Sequence, residues 1–70
     1  VLFRSNIEAL AGKTGRVIEK VNNSQGSGRA IVEGDDWRVM SDDNTVINEG
    51  EIIEVIRVDS ARLIVRQFAS

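Results

Sequence analysis

Few residues of this chain are equipped for chemistry, because it contains neither His nor Cys. Gly12-Lys13-Thr14 reproduces the end of a G-x-x-x-x-G-K-[ST] loop, in which backbone amides cradle phosphates and the lysine reaches the outer ones. The spacing fails, since the first glycine would have to stand at Ile7 and a strand rather than a helix is predicted to follow. Lys13 then reads as a solvated charge at a strand start. Asp35, Asp36, Asp42 and Asp43 supply the hard oxygen ligands that calcium favours. They lack the spacing, the glycine and the closing glutamate of an EF-hand loop, and aspartates beside turns are ordinary turn chemistry. Without His or Cys, nucleophilic catalysis reduces to a Ser–Lys pair, and Lys13 and Lys20 sit on or beside a solvated strand where nothing would activate a nucleophile. Paired acids for glycoside chemistry need a pocket that 70 residues hardly enclose. The sequence therefore predicts no enzyme, no catalytic residue, no metal site and no cofactor.

Binding is the remaining kind of function, and the residues offered for it are Arg29, Ile31, Arg38 and Met40. They alternate along two segments rich in strand formers, Gly28–Val32 and Asp36–Ser41, joined by a turn. Gly34-Asp35 is predicted as a two-residue primed turn, with Gly supplying the positive φ. This register sets Glu33 against Asp36, Val32 against Trp37, Ala30 against Val39, Ile31 against Arg38 and Arg29 against Met40. Two carboxylates facing each other beside the turn are unfavourable, so a three-residue loop is the alternative. Ala30, Val32, Trp37 and Val39 are the predicted core face, with the single Trp buried. Arg29, Ile31, Arg38 and Met40 are the predicted partner surface, since Met and Arg are enriched in protein interfaces.

The flanking elements follow from pattern. Residues 1–11 read as a lead-in or linker. Within it a capping box at Ser5 and Glu8, with Gly12 beyond, predicts at most one or two helical turns over Ser5–Leu10, a frayed segment being the equal alternative. Thr14–Val21 is rich in β formers but breaks alternation at Val17-Ile18, which predicts a bent or bulged strand eased by Gly15. Asn22–Ser27 is a polar loop. Asp42–Gly50 is an irregular insert in which Asn44 could cap a single turn of helix. Glu51–Val58 has apolar residues on both faces and is predicted to be at least partly covered on both. A turn at Ser60-Ala61 pairs Asp59 with Arg62, Val58 with Leu63 and Ile56 with Val65. Five short strands, with a bulge in the first and the insert between the third and fourth, predict an all-β, OB-fold-like barrel over residues 12–70. An SH3-like barrel is the alternative that periodicity leaves open.

Composition bounds the partner. At 70 residues folding buries only about 60% of the chain's surface, so one domain of modest stability is expected. Nine basic against eleven acidic residues argue against binding by phosphate neutralisation. OB folds that bind single strands stack bases on exposed aromatics, and the outward hairpin face has none, so a nucleic-acid module is the weaker alternative. No apolar run reaches the roughly 18 residues of a membrane span. Val1-Leu2-Phe3 is too short for a signal peptide and reads as the exit of a preceding membrane segment or a cloning remnant. The missing initial Met is expected of a fragment.

Laid out in this way, the chain resembles the soluble C-terminal domain of the NfeD family, membrane-anchored partners of stomatin-like proteins. The resemblance rests on Leu10-Ala-Gly-Lys-Thr-Gly-Arg-Val, on Gly28-Arg-Ala-Ile-Val-Glu-Gly-Asp-Asp-Trp-Arg-Val-Met-Ser, and on Ile47, Gly50, Ile53, Val55, Val58, Leu63 and Val65. It departs at Asp59-Ser60-Ala61, where the family often has a glycine. The resemblance implies a non-catalytic interaction domain that assists assembly or regulation of a stomatin-, prohibitin- or flotillin-like membrane scaffold. It also implies transmembrane helices ahead of the domain, which would then be soluble on the cytoplasmic side. Self-association is left open. Longer members add a serine protease domain, to whose catalytic Ser and Lys nothing here corresponds.

Overall fold

The computed structural model describes residues 10–68. Five strands, β1 (Thr14–Asn22), β2 (Ser27–Val32), β3 (Asp35–Ser41), β4 (Ile52–Asp59) and β5 (Arg62–Gln67), close into a barrel in the order β1-β2-β3-β5-β4. Every pairing is antiparallel except β3 with β5, which is parallel. That connectivity is the OB type and sets aside the SH3-like alternative. The short helix predicted from the capping box falls almost wholly on residues outside those described. Leu10, the last of that stretch, is buried against the barrel core.

β1 explains its own broken alternation. Val17 pairs with Ala30 and Glu19 with Arg29, so Ile18 is an extra residue, and a second irregularity separates Glu19 from Asn22. In a regular strand Val17, Glu19 and Val21 would all face one way. The bulges leave Val17 and Val21 buried while Glu19 is exposed. Gly15 is required by proximity, since a Cβ there would lie 2.5 Å from the Ile31 carbonyl oxygen. The strand continues into the insert after β3, where Val21 and Ile47 exchange backbone hydrogen bonds of 2.8 and 3.0 Å. Ile47 thereby joins the core as an extended plug, without the helical turn for which Asn44 was the candidate cap.

The central hairpin has the predicted faces but a different register. Its turn is Glu33-Gly34, with φ of 53° and 83°, rather than Gly34-Asp35. A type I′ turn needs positive φ at both positions, and here Gly fills the second as it does in the favoured Asn-Gly turn. Ala30 consequently pairs with Trp37, Arg29 with Arg38, Ile31 with Asp36 and Val32 with Asp35. The expected confrontation of Glu33 with Asp36 is removed. A slip of this kind moves pairing by two residues, which preserves faces, so Ala30, Val32 and Val39 are buried as predicted. Trp37 is the exception: it packs on the core but is only half-buried, two residues beyond the turn-closing Val32–Asp35 pair.

β4 and β5 pair at Asp59–Arg62 and Val58–Leu63 as the sequence predicts, with Ser60 taking the positive φ of 58° usually left to glycine. Val65 then pairs with Val55 and not with Ile56, because Ile56 is bulged out. The bulge allows Ile53, Val55 and Val58 to share the inward face. The outward face of β4 is less covered than its apolar composition predicts, with Ile52 exposed and Ile56 half-buried.

Candidate partner-binding surface

The four predicted surface residues share the outward face of β2 and β3. Arg29 and Arg38 are exposed, and Ile31 and Met40 are half-buried. Their neighbours differ from expectation, because the register places Arg29 directly opposite Arg38 and Ile31 opposite Asp36. Met40 lies instead beside Ile64 of β5. Arg29 is held by its own hairpin: its Nε and Nη2 donate to the two carboxylate oxygens of Asp36 at 3.1 and 3.0 Å. These hydrogen bonds and the Asp36 charge, with a smaller contribution from Glu19, raise the Arg29 pKa further above its ordinary value. The pair is exposed, so it orients Arg29 more than it stabilises the fold.

The parallel β3–β5 pairing adds a residue that pattern reading missed. Arg62 pairs with Arg38, so Arg29, Arg38 and Arg62 form one row across β2, β3 and β5. Adjacent strands are about 4.8 Å apart, so three guanidinium groups are anchored within roughly 10 Å. The row ends in carboxylates, with Glu19 pairing with Arg29 on β1 and Asp59 with Arg62 on β4. Among the described residues neither Arg38 nor Arg62 makes an ion pair. The available signal was the strand order itself: an OB barrel brings the start of β5 beside β3.

Two open hollows flank Arg38. One, of about 250 Å³, is lined by Glu19, Gly26, Ser27, Gly28, Arg29 and Arg38. The other, of about 270 Å³, lies between Arg38, Arg62 and the Ser60-Ala61 turn. Gly28 closes the floor of the first, because a Cβ there would meet the Val39 carbonyl oxygen at 2.7 Å and its φ is 144°. The loop above it contains the short 3₁₀ turn Asn23–Gln25, with Gly26 left-handed at its end.

Asn23 fastens that loop to the barrel. Its Oδ1 accepts from the Ser41 backbone N–H at 3.0 Å, while Nδ2 donates to the Ser41 carbonyl at 2.9 Å and to Asn44 Oδ1 at 2.8 Å. Ser41 Oγ continues the network by donating to Asp43 and accepting from the Thr45 N–H. Hydrogen bonds from Thr45 and Ser41 hold the Asp43 carboxyl below its usual range. Three of the four turn aspartates thus have identified partners: Asp36 with Arg29, Asp42 with Arg57 at 3.5 Å, and Asp43 within this latch. Arg57 reaches Asp42 from β4 across β5, above the row in which Ile64 is buried on the outer side of the sheet.

Lys13 is exposed immediately before β1, so a strand follows the Gly12-Lys13-Thr14 segment, as the spacing argument requires. Trp37 faces the barrel rather than the outward surface, and its Nε1 is buried without a hydrogen-bond partner among the described residues. Among those residues no helix is long and apolar enough to cross a membrane.

Known proteins resemble this arrangement in both sequence and structure. Residues 7–67 match the profile of the NfeD-like C-terminal, partner-binding domain. No curated protein matches the sequence at a significant level. Among solved structures, the C-terminal domain of stomatin operon partner protein 1510-C from Pyrococcus horikoshii is similar at a TM-score of 0.78 and 29% identity, over 89% of this chain and 92% of that one. The soluble domain of a membrane protein implicated in regulation of membrane protease activity from Corynebacterium glutamicum is similar at a TM-score of 0.79 and 34% identity, over 87% of this chain and 95% of that one. With the profile spanning nearly all of the barrel, this chain belongs to the family of NfeD-like C-terminal, partner-binding domains.

Proposed function

We propose that this chain is a non-catalytic protein-interaction domain that assists assembly or regulation of a stomatin- or flotillin-like membrane scaffold. It would act on the cytoplasmic side, tethered by a membrane segment of a longer protein. The observation that carries this reading is the match of residues 7–67 to a partner-binding domain, joined to a structural relative named as a stomatin operon partner. The contact surface we assign is the outward face of the hairpin, with Arg29, Ile31, Arg38 and Met40. Half-buried apolar side chains beside exposed arginines supply the mixed character of protein interfaces. The test is capture of a stomatin-like protein from the same source by the tagged chain. Arg38→Glu should abolish capture while the thermal midpoint falls no lower than the parent's, and capture at the parent's level would remove this face from the interface.

The nucleic-acid alternative lacks a stacking ring on this face. Titration with a single-stranded oligonucleotide at physiological salt should give no saturable binding. Micromolar affinity that falls steeply with salt would favour that alternative instead.

A further inference from the structure

The arginine row has a feature that folding does not explain. Like charges directly opposite each other on neighbouring strands are destabilising, and this sheet carries two such pairs in succession, Arg29–Arg38 and Arg38–Arg62. Asp36 neutralises only Arg29. Arg38, at the centre, has an arginine on each side and an open hollow on each side. Guanidinium forks suit carboxylates and phosphates, which accept two parallel N–H bonds.

Resting on the protein-interaction reading above, we propose that Arg38 and Arg62 form an anion-binding centre for a short acidic segment of a partner protein, one or two carboxylates long. The surroundings favour a short segment over an extended polyanion. Glu19, Asp36 and Asp59 border the row, and the chain is net −2, so a membrane surface or a nucleic-acid strand would meet carboxylates as well as arginines. One or two carboxylates seated over Arg38 and Arg62 avoid that repulsion. Half-buried Met40 is the next outward residue on β3 and offers an apolar contact to a neighbouring side chain of the same segment.

The experiment is an NMR titration of the ¹⁵N-labelled 70-residue chain with a hexaglutamate peptide at low salt. Saturable shifts should centre on Gly26–Gly28, Arg38 and Arg62. Arg62→Ala should weaken binding about tenfold, the effect of losing a hydrogen bond to a charged group. Asp36→Asn, which releases Arg29 into the row, should tighten it. Shifts centred on Lys13, Arg16 or Arg66, or an affinity indifferent to Arg62→Ala, would overturn the proposal. So would tighter binding, dependent on Arg38 and Arg62, to phosphatidylglycerol vesicles or to oligothymidylate. Both substitutions are at exposed side chains, and Trp37 fluorescence verifies that each variant is folded. If the peptide fails while a stomatin-like protein is still captured, the anion centre is wrong and the interaction reading stands. If the peptide binds as expected but Arg38→Glu leaves capture intact, the anion centre stands and that partner belongs on another face.

Discussion

Replacing Asn23 by Ala tests whether the loop beside Arg38 is held by the barrel or merely rests on it. The substitution removes two hydrogen bonds to the backbone of Ser41 and one to Asn44. Each is worth about 0.5–1.5 kcal/mol net, and a buried donor left unpaired costs about 1–3 kcal/mol. Ser41 is only 3% exposed, so its N–H is poorly placed to recover the bond from water. The bond to Asn44 is exposed and contributes least. The expected loss is about 2–3 kcal/mol, a large share of the roughly 4–10 kcal/mol that a chain of this size possesses. With an m-value near 1 kcal/mol/M, the urea midpoint followed by Trp37 fluorescence should fall by about 2–3 M, and the thermal midpoint by about 10–20 °C. Asn23→Asp separates the parts. It retains an acceptor for the Ser41 N–H but loses both donated bonds, and should cost about half as much. A loss below about 0.5 kcal/mol for Asn23→Ala would mean that the three bonds are replaced without penalty, and the latch would then have no part in positioning the hollow.

Other outcomes follow from the turn, the tryptophan and the latch carboxylate. Glu33→Asn should raise stability by about 0.5–1 kcal/mol in urea unfolding, because Asn tolerates the left-handed φ that Glu33 is forced to adopt. A turn at Gly34-Asp35 would instead make that change neutral. Trp37→Ala should cost about 1.5–3 kcal/mol, less than for a fully buried ring. Trp37→Phe should change stability by less than about 1 kcal/mol, since it also removes a buried, unpartnered N–H. Asp43, whose folded pKa is depressed, adds stability that is fully present above the unfolded carboxylate value near 4. In that range of falling pH the unfolded chain binds the proton first, so stability declines toward the lower, folded pKa. Asp43→Asn should flatten the acid limb of a stability-versus-pH curve measured in urea.

The faces of this barrel were legible in the sequence because side-chain direction depends only on parity. Ala30, Val32 and Val39 went inward, and Arg29, Ile31, Arg38 and Met40 outward, although the hairpin pairing moved by two residues. Pairing itself was less legible, because a carboxylate residue, Glu33, occupies a left-handed turn position that local preference would deny it. What tips the balance is non-local: the observed register places small Ala30 against Trp37 and leaves Asp36 within reach of Arg29. The bulge at Ile56 has the same origin. Strict pairing would have set Ile56 against Val65, whereas the barrel interior selects Val55. The site follows this division. Arg29 and Arg38 were found by strand alternation, but Arg62 joins them only through a parallel contact between strands separated by β4, and Asn23 reaches Ser41 across 18 positions. Neither contact leaves a periodic trace. A barrel therefore presents part of its outward face through hairpins that can be read locally, and assembles the rest by closing, where only the three-dimensional strand order reveals which charges meet.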